Sequence, residues 1–129
     1  NNRLHAITFI NELEGWIVGK DGIILKTIDG GNNWLELNSE IQTTLYDVSF
    51  LDSDLGWAVG EGGMIISTYD GGDRWRAEYS GVFDELKSIH MFDAENGKIF
   101  GSSNVIILNR IVGGGSGKFF NFLLNNIFQ

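Results

Sequence analysis

The sequence predicts an all-β fold made of β-propeller blades, and three observations predict it. The chain repeats itself at an offset of 41 residues. Within each copy, apolar and polar residues alternate over runs of four to six, the period-2 pattern of half-buried strands. Gly, Asn and Asp punctuate those runs, and no stretch carries helical periodicity. Four short strands per unit of about 41 residues is the layout of a propeller blade.

The repeat aligns without insertion. Leu4 and Phe9 fall on Leu45 and Phe50. Gly15-Trp16-Ile17-Val18-Gly19 falls on Gly56-Trp57-Ala58-Val59-Gly60. Gly22 to Thr27 falls on Gly63 to Thr68, Asp29-Gly30-Gly31 on Asp70-Gly71-Gly72, and Trp34 on Trp75. A third copy keeps Leu86, Ile89, Met91, Asp93, Gly97 and Gly101 but puts Lys98 at the first tryptophan and dissolves the Asp-Gly-Gly turn. Residues 1–129 then form one propeller-like domain with repeats 4–44, 45–85 and 86–129, the third degenerate, as terminal copies often are. Each full copy reads as an alternating strand such as Leu45–Phe50, a polar turn at Asp52-Ser53-Asp54, and a glycine-bounded strand at Gly56–Gly60. A buried strand at Met64–Thr68, a turn at Asp70–Asp73 and an outer strand from Trp75 complete it.

Composition sets limits. The 129 residues suffice for one hydrophobic core, and 43% hydrophobic with 20% charged residues is globular, not disordered. The net charge of −8 argues against tracking nucleic-acid phosphates or docking on an anionic membrane. No apolar run reaches the length that spans a bilayer as a helix. The absence of cysteine excludes disulfides, thiolate metal sites and a cysteine nucleophile. The start at Asn1-Asn2-Arg3, with neither Met nor signal peptide, reads as a mature form, an engineered chain or a fragment.

Two hairpins carry a motif. Thr27-Ile28-Asp29-Gly30-Gly31-Asn32-Asn33-Trp34 and Thr68-Tyr69-Asp70-Gly71-Gly72-Asp73-Arg74-Trp75 both resemble the Asp-box, Ser/Thr-x-Asp-x-Gly-x-x-Trp. Joined to Gly-Trp-x-Val-Gly upstream, they make residues 4 to about 80 similar to the repeats of photosystem II assembly and stability factor propellers. The resemblance implies a non-enzymatic interaction scaffold, secreted, periplasmic or lumenal, with a protein or peptide partner. The Asp-box also occurs in sialidases, xyloglucan-cleaving glycoside hydrolases and sorting receptors, so a fragment of an Asp-box glycoside hydrolase is the alternative reading. An engineered repeat without activity is a third.

The chemistry of the residues favours structural roles. Asp29 and Asp70 accept hydrogen bonds that fix a tight turn, Gly31 and Gly72 permit its positive φ, and Trp34 and Trp75 cover it. Thr27, Asp29, Gly31, Trp34, Thr68, Asp70, Gly72 and Trp75 are therefore read as structural, not catalytic. Trp16 and Trp57 read as inter-blade packing. A sialidase needs several arginines converging on a carboxylate, and Arg3, Arg74, Arg76 and Arg110 give no sign of converging. Asp52-Ser53-Asp54 lacks the later ligands of a calcium loop, and Gly113-Gly114-Gly115-Ser116-Gly117-Lys118 fails the phosphate-loop spacing and reads as a flexible connection. Lys118 to Leu124 reads as a degenerate fourth strand. His5 and His90 read as ordinary strand residues. No cofactor and no metal are expected. One acidic loop per repeat offers Glu12, Glu14, Asp52, Asp54, Asp93 and Glu95 to a basic partner. Three blades are too few to close a ring, which takes about four or more, so the array is part of a larger propeller or half of one completed by a second copy.

Overall fold

The computed structural model describes residues 3–78 and 80–103, together with the backbone of the strands at 105–113 and 116–123. The strands form three four-stranded antiparallel sheets, one per repeat. The first blade is β1 (Leu4–Phe9), β2 (Gly15–Gly19), β3 (Ile24–Thr27) and β4 (Leu35–Leu37). The second is β5 (Leu45–Phe50), β6 (Gly56–Gly60), β7 (Ile65–Thr68) and β8 (Arg76–Glu78). The third is β9 (Leu86–Met91), β10 (Asn96–Gly101), β11 (Val105–Gly113) and β12 (Ser116–Leu123). Each sheet pairs its strands in sequence order, and the first strands lie side by side, β5 between β1 and β9.

The blades are joined face to face. Trp16, Val18 and Ile24 of the first sheet pack on Leu45, Val48, Phe50, Ala58 and Ile66 of the second. Trp57, Val59 and Ile65 of the second pack in the same way on Leu86, Ile89, Met91 and Ile99 of the third. Burying each such aliphatic side chain contributes about 1.5–3 kcal/mol before chain entropy is subtracted. Trp16 stacks flat on Phe50, with centroids 3.6 Å apart and planes 3° from parallel. Its indole N–H donates to the Gly71 carbonyl at 2.9 Å, so the buried polar atom is satisfied across the interface. The ring of Phe50 lies over Gly56, where any Cβ would collide with it. That close approach explains the glycine opening the Gly-Trp-x-Val-Gly strand. The inner strands are bridged by side chains: Asp47 accepts from the Ile89 N–H at 2.8 Å and Ser49 from the Met91 N–H at 3.3 Å.

Three features go beyond the sequence pattern. Single 3₁₀ turns at Lys20–Gly22 and Glu61–Gly63 join the second and third strands, with Asp21 at φ 59° and Gly62 at φ 67° in the same repeat position. Aspartate and glycine are the residues that enter this left-handed region most readily. Secondly, each inner strand bulges at one place, where pairing skips His5, Tyr46 and Lys87. Thirdly, the Gly/Ser run is not a free connection. Gly113 pairs with Ser116, Val112 with Gly117 and Ile111 with Lys118, so the glycines at 113 and 117 belong to paired strands, while residues 114 and 115 lie outside the described residues. Backbone pairing continued through the glycines is the reason, and β12 becomes the fourth strand of the third sheet. Leu124, at the end of the aromatic tail, also lies outside the described residues.

The two ends of the array differ. Leu45, Val48 and Phe50 are at most 8% exposed, yet their counterparts Leu4, Ile7 and Phe9 are 49%, 58% and 40% exposed. On the third blade Lys98 is exposed where Trp57 is buried. These comparisons predict position-dependent mutational costs. Trp16→Ala should lower unfolding stability by about 3–5 kcal/mol, read by urea denaturation. Val48→Asp should unfold the chain, while Ile7→Asp at the same repeat position should shift the midpoint little. Equal losses for Val48→Asp and Ile7→Asp would contradict the packing described.

Candidate functional site

In the first two blades the loops from first to second strand and from third to fourth emerge at the same end, and the first-to-second loop of the third blade lies at the corresponding end of its sheet. Backbone bonds tie them together, from Gly30 N–H to the Leu13 carbonyl and from Gly71 N–H to the Asp54 carbonyl, each 2.9 Å. Glu12, Glu14, Asp52, Asp54, Asp93 and Glu95 therefore stand at one end of their sheets. Their employment differs. Asp52 Oδ1 accepts the backbone N–H groups of Asp54 and Leu55, both at 2.8 Å. Asp93 Oδ1 accepts those of Glu95 and Asn96, also at 2.8 Å, and the Asn96 amide, with that amide first among the causes holding the Asp93 carboxyl below its usual range. Asn11 does the same work in the first blade. Glu14 bridges blades, accepting from Ser53 Oγ at 2.7 Å and facing Lys26 Nζ at 3.7 Å. Glu12, Asp54 and Glu95 present exposed side chains. A cleft of about 490 Å³ runs beside Asn11, Glu12, Leu13, Glu14 and Ile28.

The turns from third to fourth strand are hydrogen-bonded alike in the first two blades. Thr27 Oγ1 donates to Asp29 Oδ1 at 2.8 Å and accepts from the Gly31 N–H at 2.9 Å. Asn33 donates to both Asp29 oxygens, from its side chain at 2.8 Å and its backbone at 2.9 Å. Those bonds, the Asn33 side chain first, pull the Asp29 carboxyl down to about 2. In the second blade Thr68 bonds Asp70 and Gly72 in the same pattern, and Arg74 replaces Asn33. Partial burial pushes the Asp70 carboxyl up, but the Arg74 backbone and guanidinium and the Thr68 hydroxyl outweigh it and hold it below its usual range. Gly31 at φ 93° and Gly72 at φ 104° lie under the rings of Trp34 and Trp75.

Near the opposite end, the three bulged residues meet. His5 stacks on Tyr46 with centroids 5.3 Å apart, and Lys87 Nζ sits 3.9 Å from the centre of the Tyr46 ring. Glu85 pairs with Lys87 at 3.0 Å, raising the ammonium's pKa, while partial burial raises that of the Tyr46 phenol. Bulges re-aim side chains, and here one per blade aims into a shared row. The sequence carried a signal for it: positions 5, 46 and 87 are equivalent in the repeat. His90, read as an ordinary strand residue, packs edge-on to Phe92 at 4.7 Å. Arg74 and Arg76 come together beside Trp75, while Arg3 lies at the other end of its blade and the Arg110 side chain falls outside the described residues. Among the described residues no cluster of three or more His, Asp or Glu could hold a metal ion.

Stacked four-stranded blades sharing a repeated interface define a β-propeller repeat protein. The family model for photosynthesis system II assembly factor YCF48 matches residues 33–117, and the chain belongs to that family. Two solved structures are similar. One, described as YCF48 bound to a D1 peptide, has a TM-score of 0.75 at 23% identity, covering 92% of this chain and 40% of that one. The other, YCF48 from Cyanidioschyzon merolae, has a TM-score of 0.71 at 25% identity, covering 92% and 39%. The chain thus spans about two fifths of the length of either structure. No curated protein matched it in sequence. The family match favours the assembly-factor reading over the glycoside hydrolase one.

The turn carboxylates predict an acid-sensitive fold. Asp29 titrates at about 2 in the folded chain, against 3.8 ordinarily. A depressed folded-state value stabilises the fold above the unfolded value, and that contribution fades as pH falls through the folded value. Melting temperature should therefore drop between about pH 4 and pH 2, and Asp29→Asn with Asp70→Asn should flatten that drop. A double variant retaining the parent's acid slope would place the sensitivity elsewhere.

Proposed function

We propose that the chain is a non-catalytic protein- or peptide-binding scaffold of the photosystem II assembly-factor type, and that residues 1–129 act as one propeller-like domain of three repeats. The family match over residues 33–117 carries this reading. Stacked, hydrogen-bonded blades support it, because they hold two sets of loops rigidly at opposite ends. A relative described with a bound D1 peptide suggests the ligand class, and the family suggests the thylakoid lumen as the working place. Asp29 and Asp70 serve the turns. The exposed carboxylates Glu12, Asp54 and Glu95 supply a negative end suited to a basic segment of the partner. The bare face of Leu4, Ile7 and Phe9 is met by a further blade, either a tryptophan-bearing one from a longer polypeptide or, as a poorer match, the Lys98-bearing third blade of a second copy.

Overlapping synthetic peptides of D1, titrated by fluorescence anisotropy, test the reading. At least one peptide should bind the folded protein. If a basic peptide uses the acidic end, binding should weaken several-fold between about 50 and 200 mM salt and on Glu12→Gln/Asp54→Asn/Glu95→Gln. No binding by any D1 peptide would overturn the ligand class, and salt-insensitive binding surviving the triple variant would overturn the acidic end. Pairing of copies predicts twice the monomer mass in sedimentation and a melting temperature that rises with protein concentration. A concentration-independent monomer would remove the second-copy arm.

A further inference from the structure

Three aliphatic side chains of the first blade stand in water: Leu13 is 59% exposed, Ile28 72% and Leu35 66%. Single exposed aliphatics are ordinary, but these three are contiguous. Ile28 shares a cleft of about 490 Å³ with Asn11, Glu12, Leu13 and Glu14, and a second of about 350 Å³ with Lys26, Asp29, Asn33, Trp34 and Leu35. An apolar strip therefore runs from the loop after β1, over the turn after β3, to the outer strand β4. Trp16 pairs across the sheet with Lys26, and Lys26 with Leu35, so Leu35 is on the face turned toward the second blade. A blade added on Leu4, Ile7 and Phe9 approaches the other face and leaves Leu35 open.

The charges along the strip are lopsided. Its two clefts carry three carboxylates, Glu12, Glu14 and Asp29, against one cation, Lys26. Lys26 Nζ faces Glu14 at 3.7 Å, so these two offset each other. Asp29 is held by Thr27 and Asn33, neutral donors that fix the carboxylate without cancelling its charge. Glu12 is exposed. Two negative charges thus stay uncompensated beside the aliphatics. The second blade shows that the backbone does not demand this arrangement. Asp54, Tyr69 and Arg76 stand there at the positions of Leu13, Ile28 and Leu35, and Arg74 replaces Asn33 beside the turn aspartate. Of the first two blades, only the first joins an apolar strip to unmatched acid.

We propose that this strip docks a peptide segment in which aliphatic side chains adjoin a lysine or arginine. The aliphatic groups lie on Leu13, Ile28 and Leu35, and the cation meets the Glu12 carboxylate in the field of Asp29. A purely basic segment would leave the strip wet, and an acidic one would face like charge. The assignment rests on the reading of the blades as a peptide-binding scaffold and deepens it, giving the acidic end an apolar requirement and a place on the first blade.

Methyl resonances of Leu13 and Ile28 test it in the intact protein, assigned with Leu13→Val and Ile28→Val. The probes are acetyl-Leu-Leu-Lys-amide, acetyl-Gly-Gly-Lys-amide and acetyl-Leu-Leu-Glu-amide. The first should shift both signals saturably, and the other two should bind about tenfold more weakly. Ile28→Ser/Leu35→Ser alters exposed side chains and keeps every carboxylate. It should leave melting intact and weaken binding about tenfold, read at Leu13. Glu12→Gln should weaken binding about threefold. No shift with the leucine–lysine peptide would overturn the proposal, as would equal binding of either other peptide or undiminished affinity in Ile28→Ser/Leu35→Ser. Shifts of the same methyls when the protein alone is concentrated would give the strip to a second copy and overturn it too. Leucine–lysine binding absent with D1-peptide binding kept sinks this site alone. The reverse result sinks the D1 assignment alone.

Discussion

The stacking of Trp16 on Phe50 fixes most of what surrounds it. The ring needs a flat apolar partner from the next blade, so Phe50 must end its strand at that height. Phe50 in turn lies on Gly56, which can bear no side chain. The indole N–H is buried by the same contact and must find an acceptor, which the Gly71 carbonyl supplies. One contact thereby links the second strand of one blade to the first strand, the second strand and the turn of the next. Repetition turns that link into an array. In the second interface Met91 takes the place of Phe50 against the face bearing Trp57, a flexible thioether filling the space of a ring.

That constraint falls on only some positions, and the free ones are where the blades differ. The bulge position holds His5, Tyr46 and Lys87, three chemically unlike residues that nonetheless touch in a row. The position facing the tryptophan across the sheet holds Lys26 and then Ser67, and its loop partner changes from Glu14 to Leu55. Loss of an ion pair and loss of its partner occur together, so neither charge is stranded. A scaffold held by invariant packing can vary such sites without a folding cost. Binding chemistry in a repeat protein is expected at positions that vary between flanking positions that do not.

The sequence made the architecture legible because packing repeats. Leu4, Leu45 and Leu86 announce three strands, and the glycine-bounded tryptophan strands announce the interface. The turns at Asp29 and Asp70 were legible because their donors lie within four residues. The acidic loops were legible as turns, and two of their six carboxylates turn out to serve those turns. Asn11, Asp52 and Asp93 share one role, so the acceptor oxygen is what the loop keeps, and the charge at Asp52 and Asp93 is incidental to it. The row of His5, Tyr46 and Lys87 was only half legible: their equivalence shows in the repeat, but the bulges that aim them together show only once the strands are paired. The long third hairpin was hidden for another reason: Gly113–Lys118 has the composition of a linker, and pairing there comes from backbone rather than side chains.

The ends of the array obey different physics. The first blade shows the face that elsewhere receives a tryptophan, with Leu4, Ile7 and Phe9 standing where Leu45, Val48 and Phe50 are covered. The third blade shows the face that elsewhere supplies the tryptophan, but Lys98 stands there, paired across the sheet with His90. A lysine pressed against the counterpart of Phe50 would lose its hydration without an acceptor. The third blade is therefore a poor donor for the first blade of an identical copy, and simple head-to-tail closure joins mismatched surfaces. What covers the first blade needs a ring at the height of Trp16, whereas what meets the third needs an acceptor for Lys98. The two open faces ask for different neighbours, and a ring that satisfies both must contain at least one blade whose sequence is not a repetition of these three.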